Sequence, residues 1–205
     1  MKLIGMLDSP FVRRTAISLK KMGVPFALDQ LSVFGGFDAF EAVNPAVKAP
    51  TLVTDEGEVL MDSSLIIDYA KRRLATTDEP DSTTNGLAHH HRVLALALVA
   101  SEKSIQVVYE RSLRPAERMH LPWLERVERQ LASTYKLLEA EYGNGASDKD
   151  PEELSQPNIM SAVAWRFSRE MIPDLVREQD YPALAAHSAR CEATPEFKAY
   201  PYPTG

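Results

Sequence analysis

A polar stretch at residues 76–86 most constrains how this chain can fold, because it separates two parts whose apolar side chains follow different patterns. The stretch reads TTDEPDSTTNG, which carries Pro and Gly and almost no apolar character. Such a composition is typical of a linker rather than of a buried helix or strand. We therefore predict two domains, residues 1–75 and 87–205, joined by a linker at 76–86.

The first part alternates strand and helix signals. Short apolar runs predict strands at residues 2–7, 26–31, 51–54 and 58–61. Asp55-Glu56-Gly57 separates the last two runs and predicts a hairpin turn. Apolar residues at helical spacing predict helices at residues 11–22, 37–43 and 63–74. The expected fold class is α/β, in the order βαβ, a connecting helix, then ββα.

The second part carries only helical patterns and is expected to be an all-α domain. Its predicted helices span residues 87–112, 121–142, 158–172 and 183–191. Ser155 is placed to cap the third helix, and Leu154 and Ile159 are placed for a hydrophobic staple across its first turn. The cap is interpreted as structural, since it fixes where a buried helix begins.

Charge and composition exclude several classes of function. The formal net charge is −6, and all of the excess lies after residue 75, which disfavours nucleic acid as the main partner. No run approaches the roughly 18 apolar residues that span a bilayer, and no secretory leader is recognised at the N-terminus. A single cysteine, Cys191, excludes an internal disulfide. We expect a cytoplasmic protein with no membrane partner.

Histidines 89–91 are adjacent in sequence, so their side chains point to different sides of a helix and are not expected to share a metal ion. Cys191, in a late helix, is interpreted as a packing residue. No metal site is predicted.

Ser9 precedes Pro10 directly after the first strand, which is the ordinary start of a helix. A hydroxyl at the positive end of a helix dipole can also donate a hydrogen bond to an anion such as a thiolate. Capping and catalysis are therefore both open for Ser9.

Ala49-Pro50 directly precedes a predicted strand. A trans proline would merely open that strand. A cis bond would turn the backbone of Ala49 outward, leaving its N–H and C=O groups free to pair with an extended, peptide-like ligand.

Asp62-Ser63-Ser64 precedes the last helix of the first part. Capping is certain here, and the backbone N–H groups and a serine hydroxyl at a helix start also suit a carboxylate. Ser9-Pro10, Ala49-Pro50 and Asp62-Ser63 are each ordinary, but together, in this order, they favour a ligand site more strongly than any one of them does alone.

The motifs SPFVRR at residues 9–14, NPAVKAPTL at 44–52 and DSSLI at 62–66 closely resemble those of the glutathione S-transferase family, the first being most similar to a bacterial subgroup. The resemblance covers the whole chain. It implies a thioredoxin-like N-terminal domain, a linker and an all-helical C-terminal domain.

The resemblance also implies a role for each matching residue. Ser9 would be the catalytic hydroxyl, hydrogen-bonded to the sulfur of the co-substrate glutathione. Ala49 would pair through its backbone with the cysteinyl unit, with Pro50 in the cis form. Asp62 and Ser63 would hold the γ-glutamyl end, Ser63 taking its carboxylate.

Two cations complete the implied site. Lys48 suits the glycine carboxylate of glutathione as a point charge. Arg13 lies one turn along the helix from Ser9 and is expected either to bias the field around the sulfur or to occupy a solvated helix face.

Serine rather than cysteine at position 9 decides between two chemistries. A cysteine would form mixed disulfides, whereas serine can only orient and stabilise another molecule's thiolate. One hydrogen bond to a charged group contributes about 1.5–3 kcal/mol. That is enough to bring a thiol pKa of about 8.5 into the neutral range.

The predicted function is glutathione transfer to a small hydrophobic electrophile, by a homodimer with a role in detoxification. Two alternatives remain open: a transferase-like binding or assembly protein with weak catalysis, and a glutathione-dependent isomerase or dehalogenase. No motif in the helical part identifies the electrophile.

Overall fold

The computed structural model describes residues 1–74, 84–143 and 154–203. The chain forms two compact units, Met1–Asp78 together with Thr194–Gly205, and Glu79–Ala193. Most of the predicted linker at 76–86 lies outside the described residues, and residues 84–86 already belong to a helix.

The first unit contains the predicted order of strands and helices. Its elements are β1 (Lys2–Ile4), α1 (Pro10–Lys21), β2 (Ala27–Asp29), α2 (Phe37–Val43), β3 (Thr51–Val53), β4 (Val59–Met61) and α3 (Ser63–Arg73). The thioredoxin-like α/β arrangement is confirmed. The strands are shorter than predicted, each only three residues long.

The four strands form one mixed sheet in the order β2-β1-β3-β4. β1 runs parallel to β2 and antiparallel to β3, which is antiparallel to β4. Ile4 pairs with Thr51, and Thr51 pairs with Met61, so these three residues form one row across the sheet. The row lies where β1 and β4 end and β3 begins.

The core of the first unit lies between the sheet and the two helices α1 and α3. Leu3 of β1, Val12 of α1, Leu52 of β3 and Ile66 of α3 are each 0% exposed and belong to one apolar cluster. α1 and α3 also contact each other. Both helices are thus held rigidly by apolar burial, which fixes where their N-termini lie.

The second unit contains the four predicted helices, α4 (Thr84–Ser112), α5 (Leu121–Gly143), α6 (Gln156–Met171) and α7 (Pro182–Glu192). α6 is the most buried of them and contacts both α4 and α7. The Ser155 hydroxyl accepts a hydrogen bond from the Asn158 N–H at 3.4 Å, which confirms the predicted cap. No helix among the described residues combines the length and apolar character that crossing a bilayer requires.

The C-terminal segment departs from the prediction, which placed residues 87–205 in one helical domain. Thr194–Gly205 instead joins the first unit. Its short helix α8 (Pro195–Ala199) contacts α1, and Phe197 is completely buried there. The physical reason is contact with the surface of the first unit, which no local pattern in the segment indicates.

Candidate functional site

Three loops meet at one edge of the sheet because of the row formed by Ile4, Thr51 and Met61. The chain leaves β1 after Ile4 and reaches Ser9 at the start of α1. Ala49-Pro50 stands just before Thr51, and Asp62-Ser63 just after Met61. The register therefore brings the three sequence motifs to the same edge of the sheet.

Gly5 allows the loop containing Ala49 to approach β1 and α1 closely. A Cβ atom on Gly5 would lie 2.6 Å from Cγ2 of Val12 and 3.3 Å from Cβ of Ala49. The residue also takes a φ of 139°, a conformation that side chains with a Cβ rarely adopt. Only glycine fits this position without displacing one of the two neighbours.

Ser9 caps α1, as the sequence predicts. Its hydroxyl is half-buried and accepts a long hydrogen bond from the Val12 N–H at 3.4 Å. Accepting that bond leaves the hydroxyl proton available for donation, and the described residues offer it no acceptor. α1 has no acidic residue in its first turn, so no carboxylate within that turn offsets the positive end of the helix dipole.

The Ala49-Pro50 peptide bond is cis, which answers the question that the sequence left open. Pro50 is buried and Ala49 is partly exposed. The backbone N–H and C=O groups of Ala49 have no hydrogen-bond partner within the described part of the chain. They are thus free to pair with a peptide-like ligand at the sheet edge.

Asn44 holds this loop in place and was missed by the sequence analysis. It is 2% exposed, its Nδ2 donates to Oγ1 of Thr51 at 2.8 Å, and its Oδ1 accepts from the Ala46 N–H at 3.0 Å. The Thr51 hydroxyl in turn donates to the carbonyl oxygen of Lys48 at 2.7 Å. The Asn-Pro pair at residues 44–45, a turn signal, could have identified it.

Asp62 begins α3 with a positive φ of 72°. Its Oδ1 accepts from the N–H groups of Ser64 at 2.9 Å and Leu65 at 3.4 Å. The N–H of Ser63 has no acceptor among the described residues. The cap therefore leaves one backbone donor of the helix start available beside the Ser63 hydroxyl.

Arg14 is a second site residue that the sequence analysis did not single out. It is 1% exposed, and its Nη1 lies 3.0 Å from Oγ of Ser63 and 3.0 Å from Oγ of Ser64. Burial lowers the pKa of Arg14 to about 10, an effect that the negative charge of Asp62 opposes. The guanidinium therefore remains charged at neutral pH, in contact with the two serine hydroxyls at the start of α3.

Arg13 lies elsewhere than on a solvated helix face, and that alternative is wrong. It is 0% exposed, its Nε donates to the carbonyl oxygen of Tyr200 at 2.9 Å, and its guanidinium lies 5.3 Å from the centre of the Phe197 ring. Arg13 thus holds the C-terminal segment against α1. Lys48 is exposed, and none of the described acidic side chains forms an ion pair with it.

Cys191 and the adjacent histidines at residues 89–91 are not among the residues that the sheet register brings together. Burial raises the pKa of the Cys191 thiol to about 12, which agrees with its interpretation as a packing residue. His89 lies 3.5 Å from a carboxylate oxygen of Glu141, and the rings of His90 and His91 are 5.6 Å apart. These residues are in the second unit.

Residues 3–77 match the family model described as the N-terminal domain of glutathione S-transferase. The Escherichia coli (strain K12) protein named "Uncharacterized GST-like protein YibF" is 29% identical over 174 residues, which cover 84% of this chain and 85% of that protein. Glutathione S-transferase U3 of Arabidopsis thaliana is 36% identical over 70 residues, covering 34% of this chain and 31% of its own.

One solved structure is similar over nearly the whole of both chains. It is a glutathione transferase family member from Pseudomonas fluorescens Pf-5 with bound glutathione, 28% identical to this chain, with a TM-score of 0.83. The match covers 99% of each chain. The likeness therefore extends through the helical unit as well as the first one.

Proposed function

We propose that this chain, whose residues 3–77 match the N-terminal domain of glutathione S-transferase, binds glutathione and promotes attack of the bound thiolate on a small electrophile. The observation that carries the proposal is the meeting of Ser9, Ala49-Pro50 and Asp62-Ser63 at one edge of the sheet. These groups offer a hydroxyl donor, an unpaired peptide backbone and a helix start, which suit the thiol, the backbone and a carboxylate of a tripeptide.

Ser9 would stabilise the thiolate of glutathione. Its hydroxyl already accepts from the Val12 N–H, so its proton is the group left to face the sulfur. The start of α1 adds the positive end of a helix dipole, which favours the charged form of the thiol. Serine forms no disulfide, so the reactive sulfur would come with the co-substrate.

The rest of the tripeptide has a partner at each end. The backbone of Ala49 would pair with the cysteinyl unit, as one strand pairs with another. Asp62 and Ser63 would hold the γ-glutamyl end, and the exposed ammonium of Lys48 would attract the glycine carboxylate. The proposal requires no metal.

We extend the proposal to a cytoplasmic homodimer that acts in detoxification. Glutathione keeps cytosolic thiols reduced, so the co-substrate is abundant there. Each unit also exposes large apolar side chains of the kind that contact partners, including Phe34, Phe37 and Leu65 in the first and Leu121 and Trp123 in the second. Light scattering of the purified chain would measure its oligomeric state.

Calorimetric titration with glutathione, followed by a conjugation assay with an activated chloronitrobenzene, tests the central proposal. We expect binding at millimolar glutathione or below, and a loss of turnover of about tenfold or more in Ser9→Ala, since one hydrogen bond to a charged group is removed. Absence of binding, or full turnover in Ser9→Ala, would contradict it.

Ser155→Ala is the matched control. Ser155 and Ser9 both cap a helix, and each accepts one hydrogen bond of 3.4 Å from a backbone N–H three residues later. Both substitutions remove a cap of the same kind. Only Ser9→Ala should reduce turnover once both variants are shown to be folded.

A further inference from the structure

The hydroxyl groups of Ser63 and Ser64 share one donor. Nη1 of Arg14 carries two N–H bonds and lies 3.0 Å from each hydroxyl oxygen. A guanidinium only donates hydrogen bonds, so both serine oxygens must act as acceptors toward it. Arg14 is 1% exposed and belongs to α1, so this buried contact connects α1 to the start of α3.

Accepting from Arg14 leaves each hydroxyl with its proton. Within residues 1–74, 84–143 and 154–203, neither hydroxyl has an acceptor within hydrogen-bond distance to which it could donate that proton. The N–H of Ser63 is likewise without an acceptor there. The start of α3 therefore presents several donors, and the acceptor beside them is the Asp62 carboxylate, whose Oδ1 is engaged in capping.

We propose that Arg14 is a positioning residue that sets Ser63 and Ser64 as hydrogen-bond donors, so that the start of α3 selects a ligand bearing a carboxylate. This inference rests on the proposed function and assigns the carboxylate to the γ-glutamyl end of glutathione. Without Arg14, each hydroxyl could rotate and accept instead, and the preference for an anion over a neutral group would fall. The buried positive charge adds to the same preference.

The neighbouring arginine shows that this role belongs to Arg14 rather than to any buried cation of α1. Arg13 is also fully buried, but its contacts are with Tyr200 and Phe197 of the C-terminal segment. The two adjacent side chains thus hold different elements against α1. A substitution at Arg13 removes a buried guanidinium of the same helix and leaves in place the contacts of Arg14 with Ser63 and Ser64.

Two ligands separate the inference from a purely structural role. Glutathione is compared with 4-aminobutyryl-cysteinylglycine, which lacks only the α-carboxylate of the γ-glutamyl unit, and the ratio of the two Kd values measures selection for that carboxylate. We expect the unsubstituted protein to bind glutathione about tenfold or more tightly than the analogue, as for a hydrogen bond to a charged group. In Arg14→Met the ratio should fall below about threefold, whereas in Arg13→Met it should stay unchanged.

Arg14→Lys covers the case in which Arg14→Met does not fold. An ammonium is a point charge that cannot reproduce the planar fork of the guanidinium. For Arg14→Lys we therefore expect a ratio of Kd values between that of the unsubstituted protein and that of Arg14→Met. An unchanged ratio in folded Arg14→Met or Arg14→Lys overturns the inference. So does equal binding of the two ligands by the unsubstituted protein, although the proposed function would stand. If neither ligand binds the unsubstituted protein, both proposals are wrong.

Discussion

Nε of Arg13 lies 2.9 Å from the carbonyl oxygen of Tyr200, which is 187 positions further along the chain. The ring of Tyr200 stacks on that of Phe26, with 5.6 Å between the ring centres. Phe197, one turn earlier, is 0% exposed beneath the Arg13 guanidinium. The end of the chain is therefore a structural part of the first unit, and of the helix that begins at Ser9.

Phe197→Ala should lower the free energy of unfolding of the protein by about 3–5 kcal/mol, because it leaves a cavity at a fully buried aromatic position. Chemical denaturation monitored by circular dichroism would measure the change. Phe34→Ala is the control, since Phe34 is 56% exposed and should change stability little. A loss below about 1 kcal/mol in Phe197→Ala would show that the segment does not stabilise the unit.

Gly5→Ala should weaken both folding and glutathione binding. The new Cβ would lie 2.6 Å from Cγ2 of Val12, and the φ of 139° is strained for alanine. Together these effects should lower the free energy of unfolding by about 2 kcal/mol or more. Thermal unfolding and calorimetric titration would test this. Gly35→Ala is the matched control, because a Cβ at Gly35 meets nothing within 4 Å. Equal behaviour of the two variants would refute the close approach.

Asn44→Ala should raise the Kd for glutathione severalfold and lower the free energy of unfolding by about 1–3 kcal/mol, because it leaves buried polar groups unpaired. Asn44 donates to Thr51 at 2.8 Å, so the effects of Asn44→Ala and Thr51→Val should not add. A double-mutant cycle on unfolding and on binding would measure the coupling. Strict additivity would argue against a shared network in the loop.

His187 should make the stability of the second unit depend on pH. Burial lowers the pKa of His187 to about 4, although its hydrogen bond with the Asn158 carbonyl acts in the opposite direction. The unfolded chain, with a histidine pKa of about 6.5, takes up a proton first as the pH falls, and protonation therefore favours unfolding. The preference for neutral His187 contributes about 3 kcal/mol to the free energy of unfolding. This contribution is fully present above about pH 6.5 and is lost as the pH falls toward about 4.

His187→Gln isolates that contribution, because glutamine keeps an N–H donor for the Asn158 carbonyl and does not titrate. Denaturation measured between pH 7 and pH 4 should show a steeper loss of stability in the unsubstituted protein than in the variant. Parallel pH profiles would contradict the assignment to His187. Subtracting the pH profile of the variant from that of the unsubstituted protein removes the contribution of the carboxyl groups, which titrate in both proteins.

Much of the fold and part of the site could be predicted from local sequence. The caps at Ser9, Asp62 and Ser155 depend on a few neighbouring residues, and the structure contains all three. The order of strands and helices follows from apolar spacing, which is also local. Strand ends were less accurate, since pairing across the sheet decides where a strand stops.

The residues that were missed are those whose partners are distant in sequence. Arg14 contacts Ser63 across 49 positions and Arg13 contacts Tyr200 across 187. A charged residue in a helix normally indicates a solvated face, and nothing local shows that two adjacent arginines are both buried. The tail at residues 194–203 was assigned to the helical domain for the same reason.

The amino-acid sequence by itself determined the two differently patterned parts, the helix starts and the choice of serine over cysteine at position 9, because each depends on residue type and short spacing. The tertiary structure decided the cis state of Ala49-Pro50, the row that brings Ser9, Ala49 and Ser63 to one edge, and the contact between Arg14 and the Ser63 hydroxyl. Those features depend on strand register and on burial between distant elements, which exist only once the chain is folded.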